Sequence, residues 1–259
     1  MIPANVALAT VTDGQFNDWT EYVDAPLFHH MCGRVGLGKE MRYAIDTRYD
    51  LAIKRLVFEA RYNLPPTRPI PLLYQPAGEP DAIMANWGLV PFWSKSGKGF
   101  FNAQGETAHE KPAFRSAFKK RRGVVLVDWF YEWQKLAGGG KQPYLIRRAD
   151  GAPLLFAALW EGGVGDSTTP TATILTIVPN EFMAPIHNRM PVILEPEEID
   201  RWIESDPDDA RILIQPAADS ILEMVPVSEL VNSVRNDDPR CAEPLSAFPM
   251  PTAVLAVRT

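Results

Sequence analysis

Hydrophobic positions along this chain alternate with polar ones, or run together in short blocks, more often than they recur at helical spacing. Strands therefore dominate the expectation. GVVLVDWFYEWQK, QPYLIRR, PLLFAALWEG and TATILTIVPN are bounded by turn-forming residues and rich in β-branched and aromatic side chains, so each reads as strand. PLLYQ and DAIMANWGLVPFW read the same way, the second ending at Pro91. RYNLPPTRPIP reads as a proline-set turn, while SKSGKG, AGGGK and VGDSTTP read as loops or turns. Helical spacing appears in three places. EMRYAIDTRYDLAIKRLVFEA, residues 40–60, carries apolar positions three to four apart. ETAHEKPAFRSAFKKRR has Thr107 as a cap, Glu110 three residues on and Pro112 in its first turn. EPEEIDRWIESD predicts a short amphipathic helix, and ILEMVPVSELV closes the pattern with strand character. The pattern shows neither an internal repeat nor a long linker. The expected fold class is α+β: a single β-rich domain over residues 31–259 with a few inserted helices.

Composition changes this picture at one end. The chain has 259 residues, 46% of them hydrophobic, enough for a proper core. No apolar run approaches the roughly 18 residues of a membrane span, so no membrane association is expected. Residues 1–30 contain no Lys or Arg, which argues against a secretory signal or a transit peptide. They show no sustained period and are expected to be poorly ordered. Asp13, Asp18, Glu21 and Asp24 in that segment carry four of the charges behind the net −6, so the rest of the chain is nearer neutrality. Two cysteines, Cys32 and Cys241, are too few for a disulfide framework, and a reducing cytoplasmic location is expected.

The chain lacks G-x-S-x-G, P-loop, G-x-G-x-x-G and C-x-x-C signatures. Polar residues within apolar stretches are the remaining leads. Glu132 lies among Trp129, Phe130, Tyr131 and Trp133. Buried there, its carboxyl would titrate high and suit proton transfer; on the other face of an alternating strand it would simply meet solvent. His187, in APIHNRMPVIL, follows a proline turn and precedes a strand, a placement for either a proton-transfer group or a structural histidine. Asn102 in GFFNAQGET is either a site residue or a turn former. Lys111, Arg115, Lys119, Lys120, Arg121 and Arg122 make a cationic cluster that can track phosphates or coat a solvated face. Trp87, Phe92 and Trp93 can stack on bases or fill a core. Cys32 follows His29, His30 and Met31, but no second ligand group has metal-site spacing, so no metal and no cofactor are expected.

Together these stretches resemble the SOS response-associated peptidase (SRAP) family. The matching residues are Met31-Cys32-Gly33-Arg34, Arg61 to Pro66, Asn86 to Pro91, Asn102-Ala103 with Glu106-Thr107, Asp128 to Trp133, and Ile186 to Pro191. A weaker match runs from Pro226-Val227-Ser228 to Asn236. The resemblance implies recognition of abasic sites in single-stranded DNA and a covalent bond through an N-terminal cysteine, here Cys32. It implies Asn102, Glu132 and His187 as that cysteine's catalytic partners. It places Arg34, Asn63, Trp93, Gln104 and Arg189 against the DNA, with Arg34 and Arg189 near phosphates. Gln104 departs from the family pattern, which has Arg there. A monomer is expected.

The chemistry suits the residue types. An N-terminal cysteine offers an amine and a thiol to one aldehyde carbon, giving a thiazolidine ring. The competing readings are a Cys-His peptidase or amide hydrolase, and a non-catalytic single-strand binding module; a strand-nicking lyase would accompany thiazolidine formation as a side activity where the imine persists without ring closure. If amine and thiol act together, nothing precedes Cys32 in the active form. Residues 1–30 are then an upstream misreading of the start, with Met31 the initiator, or a pro-segment cut after Met31.

Overall fold

The computed structural model describes residues 32–38, 49–76, 78–95, 97–163 and 169–245. Residues 1–31, most of the VGDSTTP turn and the first half of the 40–60 helix lie outside the described residues. Thirteen strands follow in chain order among these residues: β1 (Val35–Leu37), β2 (Arg61–Leu64), β3 (Pro69–Tyr74), β4 (Asp81–Trp87), β5 (Asn102–Gln104), β6 (Arg122–Val127), β7 (Trp129–Lys135), β8 (Lys141–Arg148), β9 (Leu154–Glu161), β10 (Thr171–Ile177), β11 (Met190–Pro191), β12 (Ile193–Leu194) and β13 (Leu222–Pro226). Five short α-helices are inserted: α1 (Asp50–Lys54), α2 (Gly105–Ala108), α3 (Arg115–Lys120), α4 (Ile199–Glu204) and α5 (Pro207–Ile212).

Strands β10-β4-β3-β6-β9 hydrogen-bond in that order, and β9 pairs back onto β10, closing a barrel. Closure removes the exposed edges that an open sheet would carry. All these pairings are antiparallel except β4 with β10. Every residue of β6 and of β10 is buried, Arg122 and the threonines Thr171, Thr173 and Thr176 included. A second, antiparallel sheet has the order β13-β8-β7-β1-β2. Phe130 of β7 meets Phe156 of β9 edge-on at 5.8 Å, so one face of this sheet packs on the barrel. Its other face carries a smaller cluster of Tyr131, Leu145, Val225, Val227, Val231 and Cys241, with Tyr62, Trp129 and Trp133 packed on it.

The run GVVLVDWFYEWQK is two strands rather than one. It breaks at Asp128, with β6 in the barrel and β7 in the sheet. Asp128 N–H donates to Gly36 O at 3.0 Å, and its carboxylate accepts from Gly38 N–H. The corner is thereby tied to β1. Gly36 is required here, because a Cβ would lie 1.8 Å from the Trp129 ring.

Other expectations are corrected. RYNL is strand β2, not turn; the prolines that follow it end the strand instead of preventing it. Within residues 49–60 the helix is confined to Asp50–Lys54. The single helix expected over 106–122 is α2 and α3, with Pro112 in the break, and Thr107 lies inside α2 rather than capping it. Helix α5 was not anticipated.

The cationic cluster also divides. Lys111, Arg115, Lys119 and Lys120 are exposed. Arg121 instead donates to Glu161 at 2.6 Å and to Ser116 at 3.2 Å. Arg122 is 4% exposed, and its guanidinium donates to the carbonyls of Phe118, Trp202, Ile203 and Ser205. It binds α4 to the barrel and is not a phosphate ligand. Arg122→Met therefore leaves several buried carbonyls without donors and should destabilise the fold by about 3–5 kcal/mol, whereas Lys119→Gln should shift it by under ~0.5 kcal/mol. Urea unfolding midpoints of the two variants check this.

Candidate active site

The site begins with a period of two. In β7, Phe130 and Glu132 share the barrel side, while Trp129, Tyr131 and Trp133 share the other. Glu132 is consequently 4% exposed, which removes the solvent-facing reading. The β1–β7 register of Val35 with Phe130, continued by Tyr131 N–H donating to Arg34 O at 3.0 Å, draws the preceding residues along β7. Cys32 thus arrives over Glu132, and its main-chain nitrogen donates to Glu132 Oε1 at 2.5 Å. Cys32 has no exposed surface, and its φ of 53° lies in the left-handed region that non-glycine residues rarely adopt.

Burial pushes the Glu132 carboxyl up to about 8, held back by hydrogen bonds from the Cys32 and Trp133 N–H groups and by the charge of Lys141. The Cys32 thiol is pushed well above its ordinary range, by burial first and Glu132 second. The thiol is thus protonated at neutral pH, and it is the nitrogen, not the sulfur, that Glu132 addresses.

A second group of side chains gathers around the end of β10. Strand β5 pairs with it in parallel, Asn102 opposite Ile174 and Gln104 opposite Thr176. Strand β11 pairs with it from the other side, Met190 opposite Ile177. This brings the Asn102–Glu106 and His187–Met190 segments together. Asn102 is half-buried and Gln104 is exposed. His187 follows a turn in which Ile186 and His187 N–H both donate to Met183 O. Its Nδ1 accepts from Arg189 N–H at 3.1 Å, so the proton of the neutral ring sits on Nε2. The Arg189 guanidinium meets Glu106 with two bonds, 2.6 and 2.7 Å, and also donates to Thr176 O at 2.5 Å. Gln134 Nε2 reaches Pro185 O at 3.4 Å, so β7, two residues past Glu132, touches the turn that leads into His187.

The residues expected on the DNA face have different surroundings. Trp93 is 53% exposed beside Phe92 at 76%, on a loop carrying Lys95 and Lys98. That loop is closed by the reciprocal bonds of Leu89 and Phe100, and Gly99 is needed there because a Cβ would lie 2.4 Å from Gly88 O. Trp87 is fully buried, with its indole N–H on Phe101 O at 2.9 Å, and takes no part in stacking. Arg34 is half-buried. Its Nη1 donates to Asn63 Oδ1 at 3.2 Å and Val231 O at 2.9 Å, and the guanidinium lies 5.8 Å from the Trp133 ring. Burial lowers it to about 10, which leaves it charged at neutral pH.

Asn63, expected against DNA, lies inside the protein. It has no exposed surface, and its Nδ2 donates to the carbonyls of Val231, Ser233 and Asn236. It holds the 228–241 segment and Arg34 in place. Sequence reasoning missed Glu106 as a partner of Arg189. The signal was present in the NAQGET motif, but no local spacing announces a pair separated by 83 positions. Among the described residues no cluster of three or more His, Cys, Asp or Glu is arranged to hold a metal.

The SOS response associated peptidase model matches residues 31–234. The abasic site processing protein YoqW of Bacillus subtilis is 35% identical over 222 residues, covering 82% of this chain and 99% of that protein. The chicken (Gallus gallus) abasic site processing protein HMCES is 38% identical over 191 residues, 61% of this chain and 56% of that one. Among solved structures, a Bordetella bronchiseptica protein superposes with a TM-score of 0.63 at 25% identity, covering 76% of this chain and all of that one. A phage-related protein from the same organism gives 0.63 at 28%, with 76% and 94% covered. A family model matched over most of the chain, and a relative aligned along nearly its whole length, establish that this chain belongs to the SOS response associated peptidase family.

Proposed function

We propose that this protein captures abasic sites in single-stranded DNA as a covalent thiazolidine, using Cys32 as the first residue of its active form. The observation that carries the reading is the bond from the Cys32 nitrogen to buried Glu132. A cysteine hydrolase needs a base on its sulfur; here the carboxyl is on the nitrogen. The names of the curated relatives, abasic site processing proteins, support the same substrate.

With nothing before Cys32, that nitrogen is an α-amine titrating at about 8; its ammonium form beside Glu132 favours the ionised carboxylate, which then takes the ammonium proton. His187 donates from Nε2 to the sugar ring oxygen as the ring opens to the aldehyde. The amine attacks the aldehyde carbon and water leaves, giving an imine. The sulfur then adds to the same carbon, and the thiol proton passes to the imine nitrogen. A thiol held protonated by burial acts second, after the amine has fixed the carbon beside it. Asn102 steadies the sugar, and exposed Trp93 stacks on a neighbouring base. Limited self-cleavage before Cys32 is part of this reading.

Acetylating the α-amine of a chain beginning at Cys32 should abolish the band that survives denaturation with abasic DNA, while binding to an intact strand persists. Normal crosslinking by the acetylated protein would exclude the mechanism.

Glu132→Gln keeps an acceptor but cannot exchange a proton, and should slow crosslinking about 10²-fold at unchanged affinity for intact strand. The same variant has a stability signature in the chain that retains Met31. The carboxyl titrates at about 8 when folded and at its ordinary 4.5 when unfolded. Across that window the folded state holds a proton that the unfolded chain has released, so stability falls as pH rises and levels off above about 8. Urea midpoints from pH 4 to 9 should show this fall, by about a few kcal/mol, and its loss in Glu132→Gln.

Gln104→Arg restores a cation on the exposed end of β5. It should tighten single-strand binding and steepen the log–log salt dependence by about 0.7, measured by anisotropy across a salt series.

A further inference from the structure

Glu106 lies outside the set of residues proposed above to meet the DNA or the sugar, yet it is tied to that set by a short chain of contacts. Its two carboxylate oxygens take both Nη groups of Arg189. Arg189 also donates to Thr176 O on β10. The main-chain N–H of the same Arg189 donates to His187 Nδ1. The side-chain end of Arg189 thus fixes the residue whose backbone decides which imidazole nitrogen carries the proton. Residues 187–189 are only a short link, between the turn ending at Ile186 and the first residue of β11. No helix or sheet ladder holds that link. The Glu106–Arg189 fork is its lateral anchor, and the pair is partly shielded, at 36% and 18% side-chain exposure respectively.

We infer that Glu106 is a positioning residue for proton transfer by His187, acting through Arg189, an inference that rests on the abasic-site reading above. Opening the sugar breaks the bond between its anomeric carbon and its ring oxygen. The ring oxygen gains a proton from Nε2, the anomeric hydroxyl loses one that returns to the imidazole directly or through water, and a carbonyl remains. The step is proton-neutral and needs one proton, on Nε2. If the Arg189 N–H swings away from Nδ1, the ring is free to carry its proton on either nitrogen, and part of the population is in the wrong tautomer. A two-point carboxylate–guanidinium fork is suited to this task because it fixes orientation as well as distance.

The inference also changes how Arg189 is understood. Its charge is matched by Glu106, so its contribution to binding phosphate is smaller than that of a solvent-facing arginine. Removing Glu106 releases that charge toward the DNA while loosening His187. Binding and chemistry then move apart, which plain loss of structure cannot produce.

The test uses Glu106→Gln in a chain beginning at Cys32, with two single strands of one sequence. One carries a natural abasic site. The other carries a linear alkyl aldehyde with no hydroxyl placed to close a ring, so no ring opening is needed. Glu106→Gln should slow crosslinking to the abasic strand about tenfold at saturating DNA and leave the linear aldehyde within about twofold of wild type. Affinity for the intact strand should be unchanged or tighter. In that chain only His109 and His187 remain of the four histidines, so 15N spectra of labelled histidine resolve the ring. Wild type should show His187 protonated on Nε2, and Glu106→Gln a mixture. Arg189→Lys keeps a charge but loses the fork and should lower the ratio of abasic to linear-aldehyde crosslinking by the same factor, whatever its affinity for DNA, which covers the case of a poorly folded Glu106 variant. Equal slowing on both strands, or no slowing on either, overturns the positioning role. Wild type that crosslinks neither strand overturns the abasic-site reading itself.

Discussion

The turn at Asp128 is the constraint on which the rest of this molecule depends. An apolar run that could have continued as one long strand leaves the barrel there and enters the five-stranded sheet. Main chain and side chain of Asp128 both bind the Gly36–Gly38 region. The barrel, the sheet and the first described strand are therefore registered against one another at a single corner. Slipping β1 by one residue would turn its side chains to the wrong face and move the Cys32 nitrogen away from Glu132. The position of the Cys32 nitrogen follows from the pairing of β1 with β7.

The buried charges show how differently a fold can treat ionised groups. Arg122 sits in a cage of carbonyls and links layers. Arg121 and Glu161 neutralise each other on the barrel wall. Glu132 has no cationic partner within hydrogen-bond reach among the described residues, only N–H groups and the more distant charge of Lys141. A carboxyl in that setting costs stability whenever it ionises. The proposed proton transfer by Glu132 draws on this local disagreement between residue and environment.

Much of this was legible in the chain beforehand. Alternation and short apolar blocks identified β3, β4, β8, β9, β10 and β13, and the run that divides into β6 and β7, and the aromatic neighbours of Glu132 marked it as a carboxyl at risk of burial. The family resemblance rested on short motifs whose order alone made them specific. What could not be read was whatever depends on pairing across long separations. Strands β1 and β5 are three residues each and carry no pattern of their own; they exist because β7 and β10 offer edges. Asn63 looks like any polar strand residue until the carbonyls of Val231, Ser233 and Asn236 close around it. Arg121 and Arg122 look like part of a basic surface because the helix pattern before them continues smoothly. Only the barrel shows that the helix has already ended.

The left-handed backbone of Cys32 has a consequence of its own. The torsion φ describes rotation about N–Cα relative to the carbonyl carbon of the residue before. In a chain where that carbon exists, holding a cysteine at this angle costs on the order of 1 kcal/mol through contact with its Cβ. In a chain whose first residue is Cys32, the torsion has no fourth atom and the penalty has no source. The nitrogen also exchanges a lone pair delocalised into an amide for one localised on an amine. One cut thus changes torsional freedom and nucleophilicity at the same atom, without moving any strand that holds it.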